Sequence, residues 1–268
     1  MVAALCAAFE DIGVTVKEAL RANEGRYVSY LCRNPACCPP EGVPYDPAAS
    51  AIAAAWTLSG RVARRDRAEY EAQIEPATGQ VRESMDSATA AAHDRLIDLV
   101  TAPEDEEQAE AALLTAGTLA IAEALDCVLH GTPLSDEQVA WLSVLLGSIS
   151  VRDIGWSLIR GSGAALYHHR ALWQEVLHRV EADLVAAPAC LFAFAAWRCG
   201  DGGIARLALD RALDVEPGYR MAELLHEVIT QGIPPSTMDD FPELPITRRR
   251  GARRRKRSST RRVGSRRG

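Results

Sequence analysis

Apolar positions recur at helical spacing over most of the chain. Residues 3–21 read as a helix, with Leu5, Phe9, Val16 and Leu20 near one face and Gly13 as its weak point. Residues 26–32, RYVSYLC, are aromatic and β-branched and predict a strand. Residues 34–47 hold five prolines and Gly42, which argues against regular structure there. A short helix over about residues 48–58 is stopped at Gly60. From Asp86 onward, apolar stretches of period 3.6 are broken at Pro103, Gly131 to Pro133, Gly161 to Gly163, Pro188, Gly200 to Gly203 and Pro217. This predicts about six or seven helices between residues 86 and 231, with no strand among them. Ser135-Asp136-Glu137 is a start signal for the helix carrying Trp141, Leu142 and Leu145. Residues 232–247 hold four prolines and read as a linker. The expected fold is mostly α: a small α/β segment (1–80), a helical bundle (86–231), then the linker and a disordered basic tail (232–268).

One helical pair has a recognisable grammar. The stretch from Gly200 to Pro217, GDGGIARLALDRALDVEP, resembles the second helix of a tetratricopeptide repeat. Gly200 turns the chain, and Ala205, Ala208 and Ala212 permit close helix approach. Leu209 and Leu213 fill the groove, and Pro217 ends the unit. Residues 190–199, including Trp197, supply a first helix, and residues 218–232 resemble the opening of a next repeat. A stable array needs at least about three units. The reading is therefore a repeat-like hairpin within a larger bundle.

Charge changes this picture at one end. The 268 residues carry a net charge of -6, but eleven arginines and Lys256 fall between Arg248 and Arg267 with no acid among them. The rest of the chain then holds 18 basic against 36 acidic side chains. Such a tail would track a phosphate backbone weakly and without sequence preference, or fold back on the acidic body. Seven cysteines, an odd number, do not suggest a secreted disulfide framework, so a reducing cytoplasm is expected. No apolar run reads as a membrane span of about 18–20 residues, and no membrane partner is expected.

Candidate chemistry is sparse. Cys32, Cys37 and Cys38, followed by Pro39, Pro40 and Gly42, form the densest set of possible ligands. The cluster reads as a structural loop, a redox pair or a metal site. Spacing favours the structural loop, because adjacent cysteines rarely face one ion and no second ligand pair follows. Two Glu-x-x-His pairs, Glu175/His178 and Glu223/His226, could ligate a metal in a bundle core. However, Leu172, Trp173, Val176, Leu177 and Val180 mark the buried stripe and leave Glu175 and His178 on the polar side. His168, His169 and His178 read as solvated. Arg152-Asp153 reads as an ion pair, or as a clamp for an anionic ligand. No residue is assigned to catalysis, metal or cofactor.

The run from Ser29 to Gly42, SYLCRNPACCPPEG, resembles the actinobacterial family filed as domain of unknown function 4192, as do Arg152-Asp153, Ala187-Pro188-Ala189 and Trp197 followed by Gly200-Asp201-Gly202. The resemblance runs from Gly25 to about Pro235. Members usually carry a strand-containing region earlier, so this chain resembles their C-terminal two-thirds. The resemblance implies no residue roles. The expected function is a cytoplasmic, non-catalytic protein-interaction module. The alternatives are an enzyme or ligand binder with Arg152 and Asp153 near the loop of residues 32–42, and nucleic-acid association through the tail.

Overall fold

The computed structural model describes residues 1–46, 49–58 and 67–238, and the chain divides into two compact units, Met1–Ala72 and Gln73–Gly268. The basic tail between Arg248 and Arg267, most of the linker and Gly60 lie outside the described residues.

In the first unit, α1 spans Val2–Asp11, half the predicted helix. Gly13, at φ +80°, ends it: the Gly13 N–H donates to the Glu10 carbonyl and the Val14 N–H to that of Phe9. The rest of the predicted helix contains the β-branched Val14, Thr15 and Val16 and leads into β1, Leu20–Asn23. β1 pairs antiparallel with β2, Arg26–Ser29, through a two-residue turn in which Glu24 and Gly25 both have positive φ. The proline-rich stretch adds a third strand, β3 (Val43–Pro44), against β2. This corrects the expectation of no regular structure; Pro44 is tolerated because β3 is an edge strand. α2 (Ala51–Leu58) and α3 (Arg67–Glu71) follow. Among its described residues this unit has almost no core. Ser29 and Gly42 are its buried residues among those described, while Leu5, Phe9 and Ile12 are exposed.

The second unit holds eight α-helices among the described residues, more than the predicted six or seven. They are α4 (Gln80–Thr101), α5 (Glu106–His130), α6 (Asp136–Leu145), α7 (Ile149–Leu158), α8 (Ala164–Arg179), α9 (Ala186–Arg198), α10 (Gly202–Val215) and α11 (Arg220–Thr230). The extra break lies between α6 and α7, which bend by 112° around Gly147. Pro188 breaks nothing: it sits in the first turn of α9, where its missing N–H has no intrahelical acceptor to lose. The linker opens with a 3-10 turn, Pro235–Met238.

Helix ends follow local chemistry. Ser135 and Gln138 form a reciprocal capping box at α6. Asp105 caps α5, which ends on left-handed Gly131. Asp201 caps α10. The centre of the unit is α9, buried from Ala186 to Trp197, with α8 and α10 packed on it. Ala205, Ala208, Leu209 and Ala212 are fully buried on α10, so α9 and α10 form a close helical hairpin turned at Gly200 (φ +81°). Pro217 follows the end of α10 and is exposed.

One close approach depends on an absent side chain. A Cβ at Gly117 of α5 would lie 2.5 Å from a methyl of fully buried Val151 on α7. Gly117→Ala is therefore expected to destabilise by about 1–2 kcal/mol, an overpacking cost partly offset by alanine's better helix propensity. In a Val151→Ala background the same change is expected to be neutral or stabilising. Urea denaturation of the two single variants and the double variant checks this sign reversal.

Candidate functional site

Arg152, on α7, directs its Nε and Nη2 at Asp153 Oδ1 (3.0 and 2.7 Å) and its Nη1 at the Tyr219 hydroxyl (3.0 Å). Its guanidinium also lies 5.6 Å from the Tyr219 ring centre. Burial pushes the Tyr219 hydroxyl above its ordinary range, with Arg152 opposing the shift. The group fastens the N-terminus of α11 to α7.

The Glu-x-x-His pairs do not converge on a common point. Glu175 bonds Arg179 at 2.9 Å, and the His178 Nδ1 lies 2.6 Å from the Glu75 carbonyl, so that nitrogen carries the proton. Glu223 pairs with Arg220, and His226 with Asp210 at 3.3 Å. His168 is half-buried. His169 is not solvated as expected but only 8% exposed. One of its ring nitrogens bonds the Leu158 carbonyl, and its Nδ1 has no partner. Burial holds its pKa below the ordinary 6.5, with His168 adding to the effect. A depressed pKa means the neutral ring contributes stability above about pH 6.5, lost as pH falls towards the folded value. Melting temperatures at about pH 7.5 and 5.5 should fall less for His169→Gln than for the parent chain.

In the first unit, a turn brings Cys32, Cys37 and Cys38 together. Ser29 Oγ accepts from the N–H groups of Leu31 and Cys32 at 3.2 and 3.0 Å and donates to Glu18. The Asn34 carbonyl accepts from both the Cys37 and Cys38 N–H groups, at 3.0 and 2.8 Å. The three sulfurs lie within 4.8 Å of one another, with Cys37 Sγ to Cys38 Sγ at 4.0 Å. The Asn34 N–H is directed at the Cys32 sulfur and, with the Cys38 thiol, lowers its pKa; the Cys38 thiol, donating to Cys32, is pushed up to about 11. Pro39 and Pro40 carry the chain to Gly42, whose φ of +81° and approach to the Tyr27 carbonyl exclude a side chain. Arg26 fastens this end by donating to the Gly42 carbonyl at 2.6 Å. Spacing gave no reason to expect adjacent cysteines to face one point; a shared backbone acceptor arranges it.

A surface feature escaped the sequence reading. Between α4, α5 and α6 runs an open groove of about 600 Å³, lined by Arg95, Leu99, Ala112, Ala116, Leu119 and Trp141 among others. Arg95 lies 4.0 Å over the Trp141 ring. Along α5, from Ala111 to Val128, Glu123 and Asp126 are the charged residues. By length and composition this helix could cross a membrane, contrary to the expectation that no run approaches that requirement. Only 22% of its apolar window is buried, and Leu119 is 57% exposed.

No curated protein and no solved structure matches the chain. A family match covers residues 1–236, beginning ahead of Gly25 and ending before the basic tail. That span covers the whole first unit and the second as far as residue 236, so the chain belongs to the family described as Domain of unknown function (DUF4192).

Proposed function

We propose that the helical unit is a cytoplasmic, non-catalytic protein-interaction module that receives an amphipathic helix of a partner protein in the α4–α5–α6 groove. The observation carrying this reading is the exposure of α5, an apolar helix that ordinary core packing would cover. Ala112 and Ala116 leave room for a neighbouring helix to approach, and Leu119, Leu99 and Trp141 offer apolar contact. Arg95, Glu123 and Glu137 add charges of both signs around the lining, suiting a helix with a polar face better than lipid tails. In this reading the tetratricopeptide-like pair, α9 and α10, is the scaffold, since its apolar faces are already buried.

A photo-crosslinking residue at Thr115, which lines the groove, tests the assignment in cells, with the same residue at exposed Glu107 as control. The expected result is one discrete adduct, mapping to the apolar face of a helix in another protein and lost on Leu119→Glu without a change in melting temperature. A self-adduct, a lipid adduct or equal labelling at the control position would overturn the proposal.

A further inference from the structure

We infer that Cys32, Cys37 and Cys38 form a three-thiolate site for a zinc-class cation, and that the metal holds the first unit together. Zinc binds thiolate sulfur at about 2.3 Å, so two sulfurs on one tetrahedral ion stand about 3.8 Å apart. Cys37 Sγ and Cys38 Sγ are already 4.0 Å apart, and no pair in the trio exceeds 4.8 Å. Drawing the sulfurs onto one ion therefore takes side-chain adjustments of about 1 Å or less. The backbone is already set for this. Ser29 fixes the entry to Cys32, the Asn34 carbonyl gathers the N–H groups of Cys37 and Cys38, and Arg26 holds the exit at Gly42.

The donor set selects the ion. Three soft sulfurs suit zinc or similarly thiophilic cations and disfavour magnesium and calcium, which require oxygen. Binding displaces the thiol protons and leaves a fourth position for water or an external ligand. An independent observation gives the site a purpose. The unit of residues 1–72 buries no large apolar side chain among its described residues. A chain segment of this size without a core ordinarily depends on a metal, disulfides or association. The metal binding energy then supplies stability that packing does not.

The test uses the full chain, fully reduced and stripped of metal, titrated with Zn2+ and in parallel with Co2+ as a spectroscopic probe. One equivalent is expected to bind, with thiolate-to-cobalt charge-transfer absorption. Cys32→Ser and Cys38→Ser should each weaken Zn2+ binding by about 100-fold or more, and Cys127→Ser, on α5, should leave it unchanged. Adding the metal should slow amide exchange over residues 20–46 and leave α9 unaffected. Failure of the reduced chain to bind Zn2+ would overturn the proposal. So would unchanged binding by Cys32→Ser, or metal-independent exchange over residues 20–46.

Discussion

Arg179→Met is expected to destabilise the helical unit by about 2–4 kcal/mol. The sequence places this arginine at the end of α8 beside an apolar stripe, and it is buried despite its charge. Its Nη1 bonds Asp136 at 2.8 Å, and its Nη2 bonds the buried Leu134 carbonyl at 3.0 Å and Glu175 at 2.9 Å. Asp136 also accepts from Ser84 at 2.5 Å. One guanidinium thus joins the start of α6 to the end of α8, and the same aspartate reaches α4. Methionine preserves much of the buried stem but leaves the Leu134 carbonyl and the Asp136 carboxylate without this donor. The cost stays below that of a fully buried pair because Asp136 and Glu175 are 27% and 45% exposed and partly screened by water. The acid limb of stability gives a second readout. The Ser84 hydrogen bond, followed by Arg179, holds the Asp136 carboxyl below its ordinary range. Its contribution is present at neutral pH and is lost as pH falls through the folded pKa. Urea denaturation at neutral pH and near pH 3 should show a smaller acid-induced loss for Arg179→Met than for the parent chain. An unchanged acid limb would assign the interaction no energetic role.

The second large effect lies at the centre of the bundle. Trp173→Ala is expected to cost about 3–5 kcal/mol, the range for truncating a large aromatic residue in a packed core. Trp173 is fully buried on α8, and a Cβ at Gly155 of α7 would stand 3.3 Å from its ring. The indole therefore occupies space that the glycine leaves open. This makes the sign of Gly155→Ala depend on its neighbour. In the parent chain the added methyl presses on Trp173 and on Leu191, also at 3.3 Å, and is expected to destabilise. With Trp173→Ala it enters vacated space and gains helix propensity of about 1 kcal/mol, so it becomes stabilising. A thermal or urea double-mutant cycle measures this coupling. Additive effects would remove the assigned contact.

Most of the α-helical organisation was legible from residues alone. The 3.6-residue period, the Ser135 start signal, the break at Gly131 and the Gly200 turn all act within a few residues of one another. Local periodicity and hydrogen bonding therefore sufficed for these helices and for the α9–α10 hairpin, while the run from Ser29 to Gly42 carried a resemblance to the family whose match covers residues 1–236. Gly13 was visible as a weak point, but whether it bent or ended the helix depended on β1 finding β2.

Other features depended on residues distant in sequence. Arg179 meets Asp136 across 43 positions, and its burial follows from three helices meeting at one place. His169 looked like a polar surface residue because spacing does not reveal that the Leu158 carbonyl lies beside it. The break near Gly147 and the exposed face of α5 likewise depend on which neighbours pack there. Cys32, Cys37 and Cys38 are close in sequence, yet two adjacent side chains normally diverge; the shared Asn34 acceptor makes them converge. Sequence by itself determined where most helices of the second unit form, because propensity, capping and periodicity are local, and its motifs pointed to the family. Tertiary structure alone decided which polar groups are buried and which apolar face stays open, because those outcomes require packing between distant segments.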